Sequence, residues 1–131
     1  MKIILFEGNK KSGKTPTLQM VYAVLKLLNA TIINPPSHIP PIKRDFEAVL
    51  SFQNKKVAIF TKGDVQAECK KAITKYANKK VDVLILAHSL NLPQLNTAPH
   101  PTVIIQKTVP PNNFEEMSSH IGDCKLIITH I

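Results

Sequence analysis

Short apolar runs alternate with amphipathic segments along this chain. The apolar runs predict β-strands, at residues 2–6, 31–33, 57–60, 81–87, 102–105 and 126–129. Apolar residues at helical spacing predict helices, at residues 16–28, 44–52, 64–79 and 114–121. Most of the strands lack polar alternation, which is typical of strands buried on both faces of a parallel sheet. We therefore expect an α/β fold in which helices cover both faces of a mainly parallel sheet.

Proline interrupts this pattern after the second predicted strand. Four prolines lie within residues 34–41. Because proline cannot donate a backbone hydrogen bond, it excludes helix and most sheet pairing. We predict an extended surface loop at residues 34–41 and a second proline-containing loop at residues 107–113.

The loop after the first predicted strand carries the strongest motif. It reads Gly8-Asn9-Lys10-Lys11-Ser12-Gly13-Lys14-Thr15 and matches G-x-x-x-x-G-K-[ST] in full. The motif stands between a predicted buried strand and a predicted helix, which is the context it requires. Its glycines let the backbone turn sharply, and its N–H groups then form an anion site at a helix N-terminus. The pattern predicts a phosphate-binding loop.

On these residues the chain resembles the P-loop NTPases. The close match covers residues 1–15, and the remainder follows only the order of elements. The resemblance implies a three-layer αβα sandwich whose mainly parallel sheet has about five strands, with the site at their carboxyl ends. It also implies that Lys14 contacts the β- and γ-phosphates as the catalytic residue and that Thr15 binds Mg²⁺.

The resemblance also implies an order for the strands. The first strand is expected near the centre of the sheet, beside the strand at 82–87, with the strand at 57–60 next along. The last predicted strand, at 126–129, is expected at an edge of the sheet. The whole chain, residues 1–131, is expected to form a single domain.

P-loop proteins usually place a second metal-binding acid at the end of an apolar strand. No apolar run ends directly in Asp here, and the nearest candidate is Asp64, just beyond the run at 57–60. Thr61 and Asp64 are therefore candidate contacts for the γ-phosphate or a water, and Asp64 is also a candidate Mg²⁺ ligand. Asp directly before a helix is equally a favoured N-cap. Asp82 opens its strand and is expected at the opposite edge of the sheet.

The other groups that a P-loop enzyme uses for catalysis are only partly present in this sequence. No Glu follows Asp64 directly, and the nearest is Glu68, so efficient hydrolysis is not expected. His88, at the end of an apolar run, is a candidate contact for the γ-phosphate or a water, or else a plain polar strand end. Arg44 is a candidate substrate contact from the proline-rich loop. A nucleoside monophosphate kinase needs several arginines and a lid, and this chain has one arginine.

A weaker resemblance involves a second segment. Thr61-Lys62-Gly63-Asp64, a helix, and then a strand at 82–87 are similar to a group of small prokaryotic P-loop ATP-binding proteins. That group has no assigned activity, so the similarity implies nucleotide binding and no reaction.

Charge and composition narrow the classes of partner that this chain is expected to bind. The net charge is +8, with 17 basic residues against 9 acidic ones, and Arg44 is the single arginine. Aromatic residues make up only 5% of the chain, so nucleic acid is not a favoured partner. No apolar run reaches membrane-span length, and the first residues are too short for a signal peptide. Cys69 and Cys124 form no ligand cluster, so we expect reduced thiols and a cytoplasmic location.

These features predict a protein that binds ATP or GTP and carries out slow Mg²⁺-dependent hydrolysis, or hydrolysis stimulated by a partner protein that supplies an arginine. The loops contain no guanine-reading motif, which favours ATP, although the base stays open. Two alternatives remain. One is a small-molecule or nucleoside kinase whose acceptor site is formed by residues 34–44. The other is a non-catalytic, nucleotide-binding regulatory subunit.

Overall fold

Six strands and three α-helices make up the described part of the chain. The computed structural model describes residues 1–41, 44–110 and 112–131. The elements in chain order are β1 (Lys2–Gly8), α1 (Lys14–Leu27), β2 (Thr31–His38), β3 (Phe46–Phe52), β4 (Lys55–Phe60), α2 (Gln66–Asn78), β5 (Val83–Ser89), β6 (Thr102–Gln106) and α3 (Glu116–Thr129), which follows a 3₁₀ turn at Asn113–Glu115. Ile42 and Lys43, within the acceptor site of the kinase alternative at 34–44, and Pro111, within the loop predicted at 107–113, lie outside the described residues.

The strands form one sheet in the order β2-β3-β4-β5-β1-β6. β1 pairs in parallel with β5 on one side and with β6 on the other, and β4 pairs in parallel with β5. The predicted order of neighbours is confirmed, since β1 lies beside β5 and β4 is next along. The predicted place of the first strand near the centre is wrong, because only β6 separates β1 from an edge of the sheet.

The expectation of a mainly parallel sheet is wrong. β3 runs antiparallel to both β2 and β4, so the six-stranded sheet is mixed. The error originates in residues 44–52, which were expected to be a helix and instead contain β3. Phe46, Ala48, Leu50 and Phe52 alternate into one core, a period of two that the helical interpretation of Phe46, Val49 and Leu50 overlooks.

The proline-rich segment is also more regular than predicted. β2 runs through Thr31–His38 and so includes Pro35 and Pro36, which were expected in a loop. β2 is an edge strand that pairs only with β3, and the pairing register shifts between Asn34 and Ser37, where the prolines lie. Proline is tolerated there because an edge strand does not need every N–H for the ladder.

The predicted C-terminal strand at 126–129 is the last turn of α3. The short helix expected at 114–121 begins as the 3₁₀ turn at Asn113–Glu115 and continues as α3 to Thr129. Cys124, Ile127 and Ile131 follow helical spacing and are all buried in the same core. A short apolar run such as Leu126–Ile128 does not by itself distinguish strand from helix.

Two cores lie on opposite faces of the sheet. α1 and α3 pack on one face, against inward residues such as Phe6, Ile85 and Ala87. α2 packs on the other face, against residues such as Leu84 and Leu86. β5 is buried along its whole length because helices cover both of its faces. Within the described residues, no helix has the length and apolar character that crossing a membrane requires.

Candidate functional site

The strands β1, β4 and β5 end at one edge of the sheet, and β3 begins there. β1 ends at Gly8, β4 at Phe60 and β5 at Ser89. β3 runs antiparallel to β4, with Glu47 opposite Phe60, so β3 begins at the edge where the other three end. The residues before β3, Arg44 and Asp45, therefore lie beside the loops that follow β1, β4 and β5.

A cavity of about 270 Å³ opens at this edge. Its wall includes residues 10–16, which form most of the predicted phosphate loop and the first turn of α1. The rest of the wall is mainly polar, comprising Arg44, Asp45, Thr61, Gly63, Asp64, Ser89 and Glu116. The structure thus brings the predicted loop together with Thr61, Asp64 and Arg44.

The 8–15 loop is held by hydrogen bonds to the residues that follow β5. Gly8 O accepts from Leu90 N at 3.0 Å, and Lys10 N donates to Asn91 Oδ1 at 3.1 Å. Gly13 directly precedes α1 with φ of 96°, in the left-handed region that favours glycine. α1 then begins at Lys14, and the first N–H groups of a helix have no partners within it. Backbone donors and the positive end of the helix dipole therefore meet at the cavity.

Lys14 lies across this loop. Its Nζ donates to Gly8 O at 3.0 Å and to Asn9 O at 2.8 Å. Burial lowers the pKa of the Lys14 ammonium, and the negative charges of Asp64 and Asp45 oppose that shift. Among the described residues, no carboxylate forms an ion pair with Lys14. The ammonium is thus held by neutral carbonyl oxygens, in a position where an anion can compete for it.

Asp45 is the site residue that the sequence interpretation missed. It is buried, and its Oδ1 accepts from Thr15 Oγ1 at 3.1 Å and from Thr61 Oγ1 at 3.0 Å. Thr61 Oγ1 in turn accepts from Phe46 N at 2.9 Å, which fixes the start of β3 against the end of β4. The alternation in residues 46–52 was the available signal, because it places an acid directly before a strand.

Asp64 lies at the site, exposed on the cavity wall. The Thr15 hydroxyl contacts Asp45 rather than Asp64, and the role of Asp64 as a Mg²⁺ ligand or a γ-phosphate contact stays a prediction. The alternative role of Asp64, the N-cap of α2, is wrong, because the N-cap is Val65 and no side chain accepts there. Its neighbour Gly63 packs so tightly on β5 that a Cβ would lie 2.3 Å from Ala87 O.

The oxygen atoms at this edge suit a hard divalent cation. Thr15, Thr61 and Asp45 offer two hydroxyls and a buried carboxylate, and Asp64 adds a second carboxylate from the rim. No group of three or more His, Cys, Asp or Glu side chains that could hold a metal occurs within residues 1–41, 44–110 and 112–131. Mg²⁺ commonly takes one or two carboxylates and completes its shell with water and substrate phosphates, so this sparse set fits it.

His88 lies outside the cavity wall, although it adjoins the wall residue Ser89. It is buried, with Nδ1 at 2.9 Å from Glu7 Oε2 and Nε2 at 2.9 Å from Gln66 Oε1. The Gln66 amide nitrogen donates to Pro93 O at 3.1 Å, which turns its oxygen toward His88. Both ring nitrogens are therefore occupied, and His88 links β1, β5 and α2.

Two basic side chains, Lys107 and His120, pack against the glycines of the 8–15 loop, and the sequence analysis singled out neither of them. A Cβ at Gly13 would lie 2.7 Å from His120 Cε1, and one at Gly8 would lie 2.7 Å from Lys107 Cβ. Lys107 is buried and forms an ion pair with Asp123 of α3 at 3.0 Å. Within the described residues, the buried Ser12 hydroxyl has no hydrogen-bond partner. α3 thus contacts the loop directly.

A larger cavity, of about 600 Å³, is formed by the connection between β5 and β6. It is lined by residues between Gln94 and Thr102, and His100 is its one titratable side chain. It contains neither a lysine nor a carboxylate, so it offers little to an anion or a metal ion. Although this cavity is larger, the cavity at the 8–15 loop is the better candidate for binding a charged ligand.

Comparison with known proteins finds no protein that is similar to this chain. No protein-family model matches the chain, and no significant match is found among curated proteins or among solved structures. What the chain does must therefore be argued from the residues and geometry of the site.

Proposed function

We propose that this chain is a P-loop NTPase that binds a nucleoside triphosphate, ATP in preference to GTP, and hydrolyses it slowly with Mg²⁺. The supporting observation is the meeting of Lys14, Thr15, Asp45 and Thr61 at one helix N-terminus. The preference for ATP depends only on the absence of a guanine-reading motif in the sequence. The P-loop fold is part of the proposal.

The loop backbone and Lys14 bind the phosphates. The N–H groups of the loop and of the first turn of α1 supply fixed donors to phosphate oxygens. Lys14 exchanges its bonds to Gly8 O and Asn9 O for bonds to the β- and γ-phosphates. Because a phosphate oxygen carries negative charge and a carbonyl oxygen does not, the ammonium gains an attraction between opposite charges, and this exchange favours the bound state.

Thr15 and Asp45 would hold Mg²⁺, and Asp64 would approach it from the rim. Their hydroxyl and carboxylate already lie 3.1 Å apart, so the oxygen donors are gathered before any ligand binds. When bound, Mg²⁺ neutralises negative charge on the phosphate oxygens.

In the reaction, a water oxygen forms a bond to the γ-phosphorus as the bond to the bridging β,γ-oxygen breaks. The products are the nucleoside diphosphate, inorganic phosphate and one proton released to solvent. His88 is not available as a base, since its two ring nitrogens are engaged by Glu7 and Gln66. We therefore expect turnover well below the rates of about 1–100 s⁻¹ that kinases reach.

The experiment is a calorimetric titration with ATP and with GTP, with and without Mg²⁺, combined with phosphate release in the same samples. Lys14→Ala should abolish binding. Lys71→Ala, which removes the same charge from an exposed site on α2, should bind like the wild type. Absence of binding by the wild type would reject the proposal. Retained binding without phosphate release would favour the regulatory subunit over the hydrolase.

A further inference from the structure

Arg44 is the one arginine among the 17 basic residues of the chain, and it lies on the wall of the candidate site. It shares that wall with Lys14, Thr15 and Asp64, although it is 30 residues from Lys14 in sequence. The antiparallel direction of β3 brings it there, because β3 begins at the edge where β1 and β4 end.

The residue next to Arg44 is firmly held. Asp45 is buried and bonded to Thr15 and Thr61, and its backbone oxygen accepts from Ile39 N at 2.9 Å. Arg44 therefore extends from a fixed backbone position one residue away from the proposed Mg²⁺ ligand. Contact with a phosphate in the cavity would then require ordering of the side chain and not of the backbone at residue 45 beside it.

The Arg44 guanidinium is available to an anion. It is exposed, and among the described residues no carboxylate forms an ion pair with it, since the Asp45 carboxylate is committed to Thr15 and Thr61. A guanidinium presents two parallel N–H donors that match phosphate oxygens, which the lysines of this chain cannot do.

We propose that Arg44 is a catalytic residue of this chain, contacting the terminal phosphate and stabilising the charge that develops on it as the bond to the bridging oxygen breaks. This inference rests on the proposed function. It replaces the expectation that a partner protein supplies the arginine, because the chain places its own arginine on the wall beside Asp45. Hydrolysis by the isolated chain then depends on Arg44.

The test compares the wild type with Arg44→Ala, Arg44→Lys and Lys71→Ala. For each, the affinity for Mg·ADP is measured with and without aluminium fluoride, which mimics the phosphoryl group in transfer, so the readout does not require fast turnover. Phosphate release at saturating ATP is measured in parallel. In Arg44→Ala, we expect affinity for Mg·ADP to stay within about twofold. The gain from aluminium fluoride and the release rate should fall by at least about tenfold, toward the thousandfold loss known for catalytic arginines.

Arg44→Lys should remain well below the wild type, because an ammonium lacks the two-pronged geometry, and Lys71→Ala should match the wild type. The inference is overturned if Arg44→Ala keeps the full gain from aluminium fluoride. It is equally overturned if that variant weakens both complexes by the same factor, since Arg44 would then only bind the ground state. Failure of the proposed function itself is distinct, because the wild type would then bind no nucleotide or Lys14→Ala would bind it unchanged.

Discussion

Asp45 shows how one carboxylate can join two loops that are distant in sequence. Its Oδ1 accepts from Thr15 at the start of α1 and from Thr61 after β4. Each neutral hydrogen bond contributes about 1 kcal/mol on average, and bonds to a charged acceptor contribute more. The acid is therefore a structural link between β3, β4 and α1 as well as the proposed Mg²⁺ ligand.

Asp45→Asn separates these two roles. An asparagine oxygen can still accept from Thr15 and Thr61, so the fold should survive, while the charge that attracts Mg²⁺ is lost. We expect affinity for ATP in Mg²⁺ to fall roughly ten- to hundredfold, the range of a lost interaction with a charged group. Affinity without Mg²⁺ should change little. The measurement is an ATP titration with and without Mg²⁺.

Asp82→Asn is the matched control for this change. Asp82 accepts from Lys56 N, and its strand begins at the edge opposite the 8–15 loop. It should bind ATP like the wild type. If Asp45→Asn and the wild type bound ATP equally well in Mg²⁺, Asp45 would not be a Mg²⁺ ligand.

The burial of Lys14 predicts that nucleotide binding depends on pH. Burial lowers its pKa from the ordinary value near 10.5, with Asp64 and Asp45 opposing. The ammonium that would bind phosphate in the proposed function is fully present well below the lowered pKa and is lost as pH rises through it. Affinity for ATP should therefore begin to fall at a pH below the ordinary lysine range, by up to tenfold per pH unit above the lowered pKa.

The measurement is the ATP dissociation constant from pH 7 upward in steps, with circular dichroism at each pH to show that the fold is intact. Affinity that stays constant up to the ordinary lysine pKa would contradict this assignment.

At the scale of elements, the segment between β4 and α2 is fixed by its contact with β5. Gly63 N donates to Thr61 O, and Ser89 N donates to Gly63 O at 2.9 Å. A Cβ at Gly63 would lie 2.3 Å from Ala87 O and 2.7 Å from His88 N, both of them backbone atoms. The segment that carries Thr61 and Asp64 can approach β5 this closely only because residue 63 is glycine.

Gly63→Ala should therefore lower the free energy of unfolding by about 1–3 kcal/mol, because backbone atoms must shift to admit the methyl group. Gly122→Ala is the contrasting variant, since residue 122 lies within α3 and a Cβ there meets nothing within 4 Å. It should raise the free energy of unfolding by up to about 1 kcal/mol through helix propensity. Urea unfolding of both variants is the measurement, and equal stability would contradict the packing described for Gly63.

On the scale of the whole molecule, the sheet has two parts with different contributions to the site. The parallel strands β4, β5, β1 and β6 carry the loops that follow their carboxyl ends. The antiparallel β2 and β3 bring Arg44 and Asp45 to that same edge. In the proposed function, the first part binds the phosphates and the second supplies the added acid and the arginine.

The sequence predicted the first part well and the second part poorly, for physical reasons. The runs that became β1, β4 and β5 are buried on both faces, so their apolar character is continuous. Their order was implied by the resemblance that the motif at 8–15 carries. In β3, by contrast, a small residue, Ala48, weakens the alternation among larger ones. The spacing of Phe46, Val49 and Leu50 fits a helix equally well.

The missed site residue follows from this same error. An acid that precedes a strand reaches the carboxyl edge only if that strand is antiparallel, and strand direction is a property of the whole sheet. His120 was missed because its contact with Gly13 depends on how α3 packs, which no local pattern of residues encodes. Lys107 was missed because its contact with Gly8 depends on the pairing of β6 with β1, which is equally non-local.

The most direct test of the central claim is a ¹H–¹⁵N correlation spectrum of the ¹⁵N-labelled chain during titration with Mg·ATP. If the 8–15 loop binds the triphosphate, the largest shifts will fall on the amides of residues 9–15. Smaller shifts are expected at Asp45 and Thr61, and Lys14→Ala should remove them all. Shifts confined to the larger cavity at Gln94–Thr102, or no shifts at saturating nucleotide, would contradict it.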